Sequence, residues 1–347
     1  MKTPTRNKSV KIFSALLLVF LFVRSTATFE LTKSVQQKNI NLVKADSFLT
    51  AYNRSKPLTH SLLIIRSGKN IFEKYYNGYG AEKLNNLKSA TKSITSLLIG
   101  IAIDNGLIKD ENERISDLLP EMFDNKTDPE KKKITLKDVL TMSAGFEWNN
   151  FGGRWRGGWD KSREPTKYLI RQVPLANKPG TKWNYNSALS HLLSTLIKKY
   201  SGMNTFEFAK KYLFEPLDIK NVRWQKSNDG NEMGNSELMM TPRDLAKIGL
   251  LVLQKGKWNG KQIVNSEWIE KSTKKYFDGF PQIGGYCYQW HTRKFGKYDS
   301  FLAAGWGGQF LIVIPELQMV VVNTSKWSVA KSSYVIFDLI EKYLVQP

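Results

Sequence analysis

The sequence predicts an α/β (α+β) fold: an antiparallel sheet made from both ends of the chain, flanked by terminal helices, with a mainly helical part inserted between. Three observations carry this reading. Strand-type text occupies residues 60–76 and returns only after 286, helical periodicity fills most of 89–275, and no Pro-, Gly- or Ser-rich linker separates the two. The 347 residues are enough for a sizeable core, and 41% apolar with 24% charged residues excludes a disordered chain, a collagen-like repeat or a coiled-coil rod.

In chain order, Met1–Lys11 is basic, Ile12–Val23 is a twelve-residue apolar run, and small residues lead to Ala27. Twelve apolar residues are too few to span a bilayer, which takes about 20. Residues 1–27 therefore read as a signal peptide for export to the periplasm or the extracellular space. An uncleaved membrane anchor is the alternative, since Arg24 directly follows the run. Residues 35–53 read as a helix. His60–Arg66 and Asn70–Tyr76, joined by Ser67-Gly68-Lys69, read as a β-hairpin. From Ser89 a helix is expected, because Ile94, Leu97, Leu98 and Ile101 recur at spacings of three and four, and Asn105-Gly106 ends it. Further helices are expected over Ile134–Met142, Ala188–Tyr200, Phe206–Tyr212, Pro242–Gln254 and Ser266–Ser272. Strands follow at Tyr286–Arg293, Ser300–Ala304, Gln309–Pro315 and Met319–Asn323, and a last amphipathic helix from Ser328 to Leu344 turns Val335, Ile336, Leu339, Ile340 and Leu344 to one side. The sheet part thus takes about 28–88 and 280–347, and the helical part about 89–279.

Composition narrows the chemistry. A single cysteine, Cys287, excludes a disulfide scaffold and a cysteine-held metal, and reads as a buried, inert thiol. His60, His191 and His291 stand far apart, outside any metal-binding spacing, so no metal or other cofactor is expected. The formal charge of +21 is the unusual number. Five of those charges lie in residues 1–27, and the remainder is diffuse and dominated by lysine. Its densest run, Lys131-Lys132-Lys133, reads as a solvated turn. No nucleic-acid-binding module accompanies the charge, so no nucleic-acid partner is expected, whereas an anionic cell-envelope surface fits it. The oligomeric state is not legible.

The most informative tetrapeptide is Ser89-Ala90-Thr91-Lys92, an S-x-x-K that opens the helix at 89. Spacing i, i+3 stacks both side chains on one helix face. A serine hydroxyl needs a base to become a nucleophile, and a lysine one turn on serves if burial and nearby positive charge lower its pKa. The other reading is an N-cap serine beside an exposed lysine. Tyr185 and Ser187 stand at the start of the helix at 188, where a tyrosine among polar neighbours can act as general base or acid, or simply pack in a turn. Trp306-Gly307-Gly308-Gln309 runs into a strand, where glycines let a ligand or another backbone come close and Gln309 can offer a backbone N–H. The alternative there is a bulge beside a bulky indole. Between these, Phe146–Asp160 mixes aromatics and glycines, so Trp148 is a candidate substrate contact on a mobile apolar wall; a packed surface loop is the other reading.

The order S-x-x-K, Tyr-x-Ser, Trp-Gly-Gly resembles the motif set of the serine β-lactamase-related family: class C β-lactamases, D-alanyl-D-alanine peptidases, family VIII-type carboxylesterases and 6-aminohexanoate-oligomer hydrolases. Ile134–Gly145, Pro179-Gly180-Thr181, Pro216-Leu217 and Thr241–Leu245 add to the resemblance, which covers about residues 45–345. It implies a β-lactamase/transpeptidase-like fold, with Ser89 as acylated nucleophile, Lys92 as its activator and Tyr185 as proton relay to the leaving group and to the deacylating water. It further implies an oxyanion hole from the backbone N–H groups of Ser89 and Gln309, and substrate contacts at Ser187, Trp306, Gly307 and Gly308. Two departures matter. Ser187 stands where relatives carry an amide side chain, and Trp306 stands where they carry a cation or histidine. Tryptophan cannot pair with a carboxylate by charge, which argues for small-molecule ester or amide substrates over β-lactams. The expectation is an exported, carboxylesterase-like serine hydrolase. A D-alanyl-D-alanine peptidase or weak β-lactamase, and a non-catalytic envelope-binding protein, are the alternatives.

Overall fold

The computed structural model describes Met1 and residues 40–56, 58–326 and 334–345. The signal segment expected at 1–27 and the start of the last helix expected at 328 lie outside them. The chain divides into Met1–Glu30 and Leu31–Pro347, and the second unit is described below.

Helix α1 (Leu42–Ser55) begins where the Asn41 side chain accepts the Lys44 N–H. Strands β1 (Thr59–Arg66) and β2 (Lys69–Tyr75) form the expected hairpin, and Ser67 and Gly68 supply φ of +49° and +75°, a turn whose twist matches the strands. The sheet is completed by β3 (Phe277–Asp278), β4 (Gly285–Tyr286), β5 (His291–Phe295), β6 (Tyr298–Gly305), β7 (Gln309–Ile314) and β8 (Met319–Ser325). Its order is β2-β1-β8-β7-β6-β5-β4-β3, antiparallel throughout. The ends of the chain meet in the middle, with Leu62 opposite Asn323 and Ile65 opposite Val320.

Both faces of this sheet are covered, so β1, β7 and β8 are buried along nearly their whole length rather than at alternate positions, and each carries a continuous apolar run. Along β7, Phe310, Ile312 and Ile314 join a core with α1 and the C-terminal helix α5 (Val335–Leu339), which continues as a wider turn over Ile340–Leu344. Leu311 and Val313 point the other way, into the larger core. That core contains α2 (Thr91–Asp104), α3 (Ser187–Ser201) and α4 (Pro242–Leu253). The approach of α4 is close: a Cβ at Gly249 would come within 2.5 Å of Val320 Cγ1 and 2.6 Å of Leu311 Cδ1. Helix α2 is buried on every side and ends as expected, with Gly106 at φ +69° and Leu107 N–H bonded to the Ala102 carbonyl. Two of its polar side chains are satisfied within the core: Ser93 donates to the Gln289 carbonyl (2.8 Å) and Thr95 to the Gly234 carbonyl (2.8 Å).

Three expectations are corrected. Tyr286–Arg293 is not one strand; β4 and β5 are separated by a turn in which Gln289 takes φ +63°. The Gln289 side chain accepts from the Ser190 hydroxyl and donates to the carbonyls of Val139 and Leu140. Cys287 lies in this turn, with burial pushing its thiol up to about 12. The basic run at 131–133 is not wholly solvated: Lys131 is 4% exposed and donates to the Ile170 carbonyl (2.7 Å). The aromatic stretch after Phe146 is not all loop, since Arg154–Lys161 is a helix.

Candidate active site

Ser89 sits in a single 3₁₀ turn, Lys88–Ala90, that runs directly into α2. Lys88 is held at φ +49°, a left-handed conformation that costs a non-glycine residue energy and turns the chain sharply before the serine. The end of β6 presses on this turn. A Cβ at Gly305 would stand 2.1 Å from the Leu87 carbonyl oxygen and 3.2 Å from the Ala90 nitrogen, so only glycine admits that approach.

One helical turn on, Lys92 is 2% exposed. Its Nζ stands 3.1 Å from Ser89 Oγ and donates to the Asn235 carbonyl at 2.7 Å. Burial, and secondly the Arg156 guanidinium, hold its pKa well below the ordinary lysine value. A neutral amine here spends an N–H on Asn235 and keeps its lone pair for the Ser89 hydroxyl. Tyr185 precedes α3, and its ring centroid is 5.2 Å from Lys92 Nζ. Burial pushes its hydroxyl up to about 12, against the pull of a hydrogen bond with Ser89 and the charge of Arg156. Tyr185 is therefore a proton donor at neutral pH.

Ser89, Tyr185, Trp306 and Gly307 line one cavity of about 750 Å³. Phe151, Phe280, Phe310 and Tyr334 give it an aromatic wall, and among the described residues no Lys, Arg, Asp or Glu lines it. Sequence reasoning missed His291, which also lines the cavity and is kept neutral chiefly by burial, its pKa pushed down to about 3. It missed Asn150 and Arg156 as well. Asn150 Oδ1 accepts from the Ser187 N–H (2.9 Å) and the Trp148 indole N–H (3.3 Å), while Arg156 bonds the Asn150 carbonyl (3.3 Å) and Asp160 (2.8 Å). The pairing of an Asn beside exposed Phe151 was a visible signal, but nothing in the spacing marked Arg156.

Not every candidate reaches the cavity. Trp148 is 7% exposed and turned into the core, its ring edge-on to Trp159, so it is not on the wall. Ser187 is buried as the first residue of α3 and is likewise off the wall. Gly307 and Gly308 take φ of +85° and +89°, and the Gly308 carbonyl is pinned by Asn323 Nδ2 (2.7 Å) and the Ser325 hydroxyl (2.9 Å). Gln309 pairs with Gly305 across this turn, and its side chain bonds the Ser325 carbonyl. Among the described residues no group of three or more metal-ligating side chains occurs, and no helix is long and apolar enough to cross a membrane.

The sequence signature described as beta-lactamase matches residues 58–333. The chain belongs to the beta-lactamase family. Within that family it is similar to a 6-aminohexanoate-dimer hydrolase of Paenarthrobacter ureafaciens, 24% identical over 78% of this chain and 73% of the relative. It is also similar to a lovastatin esterase of Penicillium rubens, 28% identical over 38% of this chain and 37% of that one. Among solved structures, a family VIII carboxylesterase superposes with TM-score 0.70 at 18% identity, covering 89% of this chain and 99% of that one. The octameric penicillin-binding protein homologue of Pyrococcus abyssi superposes with TM-score 0.72 at 20% identity, covering 88% and 79%. The β-lactamase/transpeptidase-like fold expected from the motifs is therefore shown, in a family of serine hydrolases with esterase-, amidase- and peptidase-type relatives.

Proposed function

We propose that this protein hydrolyses carboxylic esters through an acyl-enzyme on Ser89. The observation that carries the reading is the buried amine of Lys92, 3.1 Å from Ser89 Oγ, next to a Tyr185 hydroxyl held protonated. Neutral Lys92 takes the Ser89 proton as Oγ attacks the ester carbonyl. The oxyanion is received by the backbone N–H groups of Ser89 and Gln309. Tyr185 gives its proton to the departing alkoxide, and the new ammonium of Lys92 returns one to Tyr185. Water then attacks the acyl group, its proton passes to Lys92, and Ser89 leaves with a proton from the same pair. Each half carries a net one proton from the attacking hydroxyl to the departing oxygen, and the site ends as it began.

The choice of ester rests on the cavity. Its walls are aromatic and uncharged among the described residues, and Trp306 supplies an indole where a carboxylate would need a cation. The names of the esterase relatives support the same choice. Purified protein should turn over p-nitrophenyl butyrate, leave nitrocefin and D-Ala-D-Ala peptides essentially untouched, and be labelled by a fluorophosphonate at Ser89. Ser89→Ala should lose both turnover and label; retention of either sinks the proposal. A peptidase or β-lactamase would show itself by a fluorescent-penicillin label instead. Export rests on the basic and apolar pattern of residues 1–27, and the mass of the protein recovered from the cell envelope tests it.

A further inference from the structure

The indole of Trp306 and the backbone of Gly307 also border a second cavity, of about 350 Å³. Unlike the first, it has lysines in its lining: His60, Asn85, Lys88, Gln309 and Lys326 stand there beside Tyr79, Leu84 and Met239. His60 lies flat on Tyr79, centroids 3.5 Å apart, with Nδ1 2.8 Å from Asn85 Oδ1. The far end of Lys83 stands 4.2 Å from the centroid of the same Tyr79. Lys88 is already paired with Glu237 at 3.2 Å, whereas among the described residues no acid forms an ion pair with Lys326. Burial first, then the charges of Lys83 and Lys326, hold His60 below the ordinary histidine value, so the positive field of both lysines converges where His60 sits. The Gln309 amide adds a second, independent signal. Its Nε2 is committed to the Ser325 carbonyl, while Oε1, in a residue only 4% exposed, has no partner. A buried acceptor without a donor is costly and marks a place where a ligand can supply one.

We propose that this second cavity binds a small carboxylate that carries a hydrogen-bond donor, the carboxylate facing Lys326 and the donor reaching Gln309 Oε1. Because Gln309 begins β7 and pairs with Gly305, a ligand held there steadies the strand end that presses on the Ser89 turn.

The site stands independently of the ester reading, and only its consequence for substrate choice rests on that reading. The test is a titration of the full chain with racemic malate, followed by the ring resonances of His60. Malate should give a saturable shift and raise the His60 pKa, because an anion beside the ring offsets the lysine field. Succinate, which lacks the hydroxyl, should bind several-fold more weakly, and glycerol should give no shift. Lys326→Gln should weaken malate several-fold. Absence of a saturable shift in the millimolar range, equal binding by Lys326→Gln, or equal binding of glycerol overturns the proposal. Two kinetic arms separate the sources of the carboxylate. If it is an arm of the substrate, the p-nitrophenyl half-ester of succinate has a lower KM than p-nitrophenyl butyrate, and Lys326→Gln removes the advantage. If it is a free acid, malate changes kcat on p-nitrophenyl butyrate without competing with it.

Discussion

Two buried lysines show how neighbours decide what a cation does. Lys92 and Lys131 are 2% and 4% exposed, and each donates to a backbone carbonyl at 2.7 Å, Asn235 in one case and Ile170 in the other. Burial lowers the pKa of both. The second influence differs in sign. Lys131 has Asp128 and Asp124 near it, which favour its charged form, while Lys92 has the Arg156 guanidinium, which opposes it. Desolvation alone therefore does not make a base. One lysine remains a cation tying the 129–133 turn to a neighbouring helix; the other is pushed toward a free amine and stands against a serine.

Substitutions can break this contrast, and the largest effects fall on the Lys92 side. Ser89→Ala should lower kcat/KM on p-nitrophenyl butyrate about 10⁴-fold or more, because the covalent route is gone. Lys92→Met should cost about 10²- to 10⁴-fold, the worth of a positioned proton acceptor. The same variant should flatten the pH dependence of stability. The unfolded chain binds a proton at Lys92 up to the ordinary lysine pKa and the folded chain releases it earlier, so stability rises with pH between those two values in the wild type. A denaturant titration series from pH 7 to pH 10 checks that slope. Tyr185→Phe should lower kcat by about 10²-fold, least for esters whose alcohol leaves without needing a proton. Comparison of p-nitrophenyl and ethyl esters reads this directly.

Arg156→Gln tests the electrostatic half of the contrast. Removing the guanidinium lets the Lys92 pKa rise, so the acidic limb of kcat/KM should move to higher pH by up to about one unit. Arg156→Lys should restore the wild-type profile, which a purely structural role would not require. Lys131→Met is the smallest effect: it leaves the Ile170 carbonyl without its donor and should lower stability by about 1 kcal/mol. The pH profile should not move. A shift there would mean that the two lysines are electrostatically linked after all.

The contrast also explains what the sequence disclosed. Ser89 and Lys92 were legible because their relation is local, one turn of one helix, and the helix end at Gly106 and the Ser67-Gly68 hairpin turn were legible for the same reason. The difference between Lys92 and Lys131 was not, because it depends on Arg156 in one case and on Asp124 and Asp128 beside the turn that buries Lys131 in the other. The break at 287–290 was hidden in the same way. An apolar, aromatic run looks like one strand until the distant Ser190, Val139 and Leu140 claim the side chain of Gln289. Trp148 looked like a cavity wall, and it packs on Trp159 and bonds Asn150 instead, leaving Phe151 to face the space.

The meeting of the chain ends in the sheet has a consequence for the order of events during synthesis. The strand containing Leu62 acquires its central neighbour only when Val320 and Asn323 exist, some 260 positions later in the sequence. The Ser89 turn is pressed into shape by a hairpin from the same late region, through Gly305. A ribosome-bound chain therefore holds Ser89 and Lys92 long before it holds a working pair, and closing so long a loop is slow. On the proposed reading, acylation at Ser89 waits for that late hairpin rather than for Ser89 and Lys92 themselves.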